Sequence, residues 1–153
     1  SGVDLGAAVL AAKDSGLLAL QVGVVVRDQL PERFLDVHEA LFAARHDQGR
    51  NIKDPGVLRD VLRSCGVDDE SVFATIATGA PLDAVRKEHE HASANHSVWG
   101  VPTFISGDEA VFVRLMDRPS GDGERSRQTI DRVIEMVAGF IELNELKHTA
   151  LDR

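Results

Sequence analysis

The residues best suited to chemistry in this sequence lie in the stretch Trp99–Gly107, WGVPTFISG, and the chemistry they suggest belongs to the backbone. A proline in an apolar strand forfeits a ladder donor, so strands confine it to their first residue, an edge or a bulge. Val101-Pro102 therefore marks a place where the backbone is left unpaired, and the chain's only tryptophan, Trp99, sits beside it. That indole either lines a groove or braces the turn as a buried aromatic. Conventional reactive side chains are scarce. Cys65, the one cysteine, falls on the apolar stripe of a predicted helix, just before Gly66, where a free thiol behaves as a small hydrophobe. In HEHASANH, His89 and His96 lie seven apart, with His91 and Glu88 nearby. That gap spans about 10 Å of helix, and the i, i+4 spacing a metal site uses is missing. No metal site is expected, and no catalytic residue is assigned. A Gly-x-Ser-x-Gly elbow, a phosphate loop and a dinucleotide fingerprint are all missing, and nothing singles out a working pair among 25 acids.

The elements that would position this stretch are mostly helical. Leu5–Leu30 mixes a helical Ala-rich run with β-branched residues, and helix is the reading adopted. PERFLDVHEALFAARH reads as a helix with Pro31 in its first turn and the stripe Phe34, Val37, Leu41, Ala44, widened by Leu35 and Phe42. Asp54-Pro55 caps a third helix whose Val57, Leu58, Val61, Leu62 and Cys65 share a face, and Gly66 ends it. A fourth runs from Asp69 to Thr78 with Val72, Phe73 and Ile76 inward, stopped by Gly79. A fifth opens at Pro81, with Leu82, Val85, His89, Ala92 and His96 on one face and RKEHEH as an exposed charged face. The period then changes: VPTFIS and EAVFVRL are strand-like and flank Gly107-Asp108, a hairpin signal. A last helix aligns Ile130, Val133, Ile134, Val137 and Ile141, and a solvated tail follows.

A two-stranded hairpin is marginal in water unless other strands or helices cover it. The layout therefore suggests part of an α/β sheet whose other strands lie elsewhere, or are hidden in Leu17–Arg27. At 153 residues, with 43% hydrophobic and 27% charged side chains, the chain fits one globular domain with an insertion. Its formal charge of −8 argues against nucleic acid as a partner. No run approaches the roughly 20 apolar residues of a membrane span. No secretory signal is evident and a lone cysteine excludes an intrachain disulfide, so the expected location is the cytoplasm.

A helical block, then Gly-Val-Pro-Thr-Phe-Ile, a second strand and a closing helix resemble the DsbA family of thioredoxin-fold proteins. The resemblance covers roughly Leu17 to Leu146 and is most specific in WGVPTFISGDEAVFV. Asp-Pro-Gly at 54–56 and AVRKEHEHA also resemble the helical insertion of cytoplasmic branches linked to small thiols. The resemblance implies an α/β, thioredoxin-like fold with a large helical insertion, incomplete at its N-terminus. Residues 1–98 would be the insertion, 99–146 the C-terminal part of the thioredoxin-like domain, and 147–153 a tail. It further implies a cis-proline at 102 and a thiol-disulfide oxidoreductase. Val101 would offer its backbone N–H and C=O to an extended thiol or disulfide substrate, with Pro102, Trp99 and Thr103 completing the substrate-binding set. Implied partners are a thiol or disulfide protein or a low-molecular-weight thiol as co-substrate, with no bound cofactor. The sequence departs from the family in one respect: it has no Cys-x-x-Cys at a helix start, where the dipole would lower the thiol pKa. The alternative is a non-catalytic module whose exposed sheet edge pairs with another chain, including a homodimeric partner.

Overall fold

The computed structural model describes residues 16–115 and 120–142. The run LGAAVLAAK, residues 116–119, the end of the expected last-helix stretch and the tail lie wholly or partly outside them. The chain divides into two compact units, residues 1–88 and 89–153.

The first unit is helical. Its described elements are α1 (Leu17–Gln29), a 3-10 turn (Pro31–Arg33), α2 (Phe34–Phe42), a π-helical turn (Ala43–Asp47), α3 (Pro55–Ser64), α4 (Asp69–Ala77) and the start of α5 (Ala80–His96). Leu17–Arg27 is thus helix rather than a hidden strand. The caps follow from residue type. Asp54 is extended and its carboxylate accepts the Gly56 N–H at 2.8 Å, with Pro55 at the first helical position. Asp68 caps α4 in the same way through Glu70 N–H. Gly66 and Gly79 stop α3 and α4 at φ of +70° and +83°, a region open to glycine at little cost.

One core joins these helices: Val22, Val25 and Val26 of α1, Val37 and Leu41 of α2, Ala44, then Leu58, Val61, Leu62, Val67 and Val72. Leu58 and Leu62 are wholly inaccessible. The predicted stripe on α2 holds at Val37, Leu41 and Ala44, but its widening does not: Leu35 is 68% and Phe42 56% exposed. Phe42 instead stacks between His38 and His46 along the outer side of the helix, at centroid distances of 4.8 and 5.6 Å. Among the described residues the one buried carboxylate, Asp69, joins α3 to α4. It accepts from Arg59 Nη1 at 2.6 Å and from Arg63 Nε and Nη2 at 2.9 and 3.0 Å. Hydrogen bonds from Arg63, then Arg59, hold its pKa below the ordinary carboxylate value.

The second unit holds the end of α5, strands β1 (Thr103–Ser106) and β2 (Glu109–Phe112), and α6 (Gly123–Gly139). The strands pair antiparallel, with Thr103 opposite Phe112 and Ser106 opposite Glu109 across the Gly107-Asp108 turn. Helix α6 starts at Asp122, whose carboxylate accepts the Arg125 N–H at 3.0 Å, and packs on both strands. Of its predicted apolar line only Val137 is buried; Ile134 is 52% and Ile141 68% exposed. His89, expected on an inward face of α5, is also exposed, because beyond Glu88 that helix buries little. Periodicity identifies an apolar face; it does not supply something to cover it.

Candidate substrate-docking turn

Six residues connect the end of α5 to β1, and the last four are Trp99, Gly100, Val101 and Pro102. The helix ends where Ser97 takes a left-handed φ of +51° and Val98 N–H turns back to Ala92 C=O at 3.4 Å. The turn that follows is held by Thr103, whose hydroxyl donates to Gly100 C=O at 2.7 Å. Gly100 is closely packed, since a Cβ there would lie 3.1 Å from the Phe112 ring. The Val101–Pro102 peptide bond is cis.

Hydrogen-bond parity follows from the register. With a two-residue loop, Ser106 and Glu109 form the closing hydrogen-bonded pair, so bonded pairs recur at Phe104–Val111 and Pro102–Val113. Val113 N–H indeed donates to Pro102 C=O at 3.1 Å. Thr103 and Ile105 therefore aim their backbone N–H and C=O away from β2, and Val101 continues the same row. No hydrogen bond of the described residues engages the Val101 backbone, and its side chain is 84% exposed. Among the described residues, Thr103 and Ile105 thus present an unpaired edge that leads to the open Val101 backbone, which is what an incoming extended strand requires.

The predicted set comes together unevenly. Val101 and Pro102 are exposed, while Thr103 is half-buried and works as the brace of the turn. Trp99 is not a buried brace: it is 76% exposed while its ring stacks on Phe112 at a centroid distance of 4.5 Å. Phe112 and Arg114 were not singled out from the sequence. The Arg114 guanidinium sits 5.5 Å from the Phe112 ring centroid, so tryptophan, phenylalanine and arginine form one cluster. Their signal was available: a hairpin at Gly107-Asp108 sets Phe112 opposite Thr103 and puts Arg114 two residues on, on the same face.

Cys65 belongs to the first unit. It is half-buried at the C-terminal cap of α3, its sulfur 3.7 Å from the Asp36 carbonyl oxygen. That is the C-terminal end of a helix, away from the N-terminal amides that favour an anion. Among the described residues no group of three His, Cys, Asp or Glu side chains could hold a metal ion. No helix of the described residues is long and apolar enough to cross a membrane.

A family model for the DSBA-like thioredoxin domain matches residues 12–118, well over half of the chain. The chain belongs to the DSBA-like thioredoxin family. Its helical block and short sheet are those of a thioredoxin-like fold carrying a helical insertion, as the sequence led us to expect. Among curated proteins it is 30% identical over 100 residues to the thiol:disulfide interchange protein DsbA of Pseudomonas aeruginosa, in both strains PAO1 and UCBPP-PA14. The match takes in 65% of this chain and 46% of each relative, so the chain spans about half the length of those DsbA proteins. No solved structure matches it.

Proposed function

We propose that this chain is the substrate-docking part of a DsbA-type thiol-disulfide oxidoreductase. An extended segment bearing a thiol or disulfide binds along the Val101 edge. The attacking sulfur comes from a Cys-x-x-Cys segment outside these 153 residues. In the reaction, a thiolate of that segment attacks one sulfur of the substrate disulfide. The substrate S–S bond breaks, a mixed disulfide forms, and the second substrate sulfur leaves as a thiolate that takes up a proton. The second cysteine of the segment then attacks the mixed disulfide and releases the reduced substrate. Two molecules of a low-molecular-weight thiol, oxidised to their disulfide, return the enzyme to its reduced form. The cytoplasm, where such thiols are plentiful, is the location this reading favours.

The observation that carries the reading is the set of backbone groups at Val101, Thr103 and Ile105 that no hydrogen bond among the described residues engages, ending at an exposed turn. Cys65 takes no part in this reading, since it is a half-buried thiol at the C-terminal cap of α3. The test is reduction of insulin by dithiothreitol. The product of the whole reading frame accelerates it and the 153-residue chain leaves it at the uncatalysed rate. An inactive whole product with no Cys-x-x-Cys segment overturns the reading in favour of a non-catalytic module. The open edge would then pair with another chain or a second copy, and sedimentation would detect the latter.

A further inference from the structure

We propose that Trp99, Phe112 and Arg114 are the specificity-determining residues of the docking turn, and that they select an extended peptide carrying an aromatic residue and an acidic residue on one face. The proposal rests on docking at Val101 and adds to it the chemistry of the side chains that flank the substrate sulfur.

Three observations carry it. First, Trp99 is held on one side by Phe112 yet remains 76% exposed, so it offers a large apolar surface already fixed in place. A ligand that stacks there does not have to order the indole. Second, Arg114 is exposed, and no carboxylate of the described residues pairs with it. Third, the hairpin is polarised. Asp108 and Glu109 stand at the turn, while Arg114 stands at the docking end, about 17 Å of strand away. In a chain of formal charge −8, this end alone of the hairpin attracts an anionic group and the other end repels one.

The geometry also sets the spacing. Phe112 and Arg114 lie two apart on one strand face, with Trp99 against the first of them. A peptide extended along the edge presents residues i and i+2 to that face and the residue between them to the other. Phe-Cys-Glu therefore places the ring on Trp99, the carboxylate on Arg114 and the sulfur on the opposite side.

Anisotropy of a fluorescein-labelled Phe-Cys-Glu peptide, its cysteine S-methylated to block exchange, tests this on the full chain. It binds about tenfold more tightly than its Ala-Cys-Gln twin, and added salt erodes the glutamate part of the preference. Trp99→Ala abolishes the preference for phenylalanine and Trp99→Phe keeps part of it. Arg114→Gln abolishes the preference for glutamate alone. Equal affinity of the two peptides overturns the proposal, and because the protein is unaltered in that comparison, no folding defect can imitate it. A peptide N-methylated at the cysteine separates the two levels. If it binds weakly while the two side-chain twins bind alike, docking stands and the platform falls. If N-methylation changes nothing, or no peptide binds, docking at Val101 falls and the platform falls with it.

Discussion

The two units of this chain treat their own groups differently. The helical unit consumes what it has: eleven buried residues form one core, and its buried carboxylate is bonded to two arginines. The hairpin unit leaves groups unspent. Among its described residues the buried hydrophobic side chain is Val137, while Trp99, Val101, Ile105 and Ile134 are all at least 48% exposed. A half that has saturated its own contacts is a scaffold. A half that has not is where another chain can bind.

Mutations can break or sharpen this contrast. The largest effect is expected from Leu58→Ala, which empties a wholly buried site in the core. It should cost about 2–5 kcal/mol, read as a lower urea midpoint by far-ultraviolet circular dichroism. A loss under 1 kcal/mol would mean that the core collapses around the hole. Asp69→Asn comes next, because it leaves Arg59 and Arg63 without their shared carboxylate. Its effect depends on pH. The native Asp69 pKa is depressed, so its contribution is complete above the ordinary carboxylate range and disappears as pH falls through the lower native value. Between about pH 7 and pH 3 the difference in urea midpoint between wild type and variant should shrink. A difference that stays constant with pH would assign the loss to packing instead.

Val137→Ala should cost about 1–2 kcal/mol. It should be visible in Trp99 fluorescence before the helical signal changes, since Trp99 is the chain's only tryptophan and there is no tyrosine. Coincident transitions would show that the two units unfold as one. The smallest effect belongs to Gly100→Ala. Its added methyl meets the Phe112 ring at 3.1 Å, so the ring must shift and the stack with Trp99 opens. An altered emission maximum with a stability change of about 0.5–1 kcal/mol is expected. An unchanged spectrum would show that the stack is not held by that close approach.

Much of the scaffold was legible because single residues encode it. Asp54 and Pro55 start a helix, Gly66 and Gly79 end two others, and Gly107-Asp108 turns the hairpin. Each works through local sterics or one hydrogen bond, so no tertiary information is needed. At Val101-Pro102 local sterics marked only an unpaired strand end, and the cis bond was expected from the family resemblance. Exposure was not. Leu35, Phe42, Ile134 and Ile141 follow helical spacing as faithfully as Val37 and Leu41, yet they face water. The π-helical turn at Ala43–Asp47 also left no mark, since its residues suit an ordinary α-helix equally well. Phe112 and Arg114 acquire meaning only once the register is known.

The parity of the hairpin has a consequence for where its proline stands. Pro102 occupies a position whose amide would point inward, toward Val113, so the missing donor is subtracted from the chain's internal stitching. Moved one place in either direction, the same residue would blank a tooth on the outward side, where we propose that a visitor grips. The defect is set where the hairpin's own pairing absorbs it.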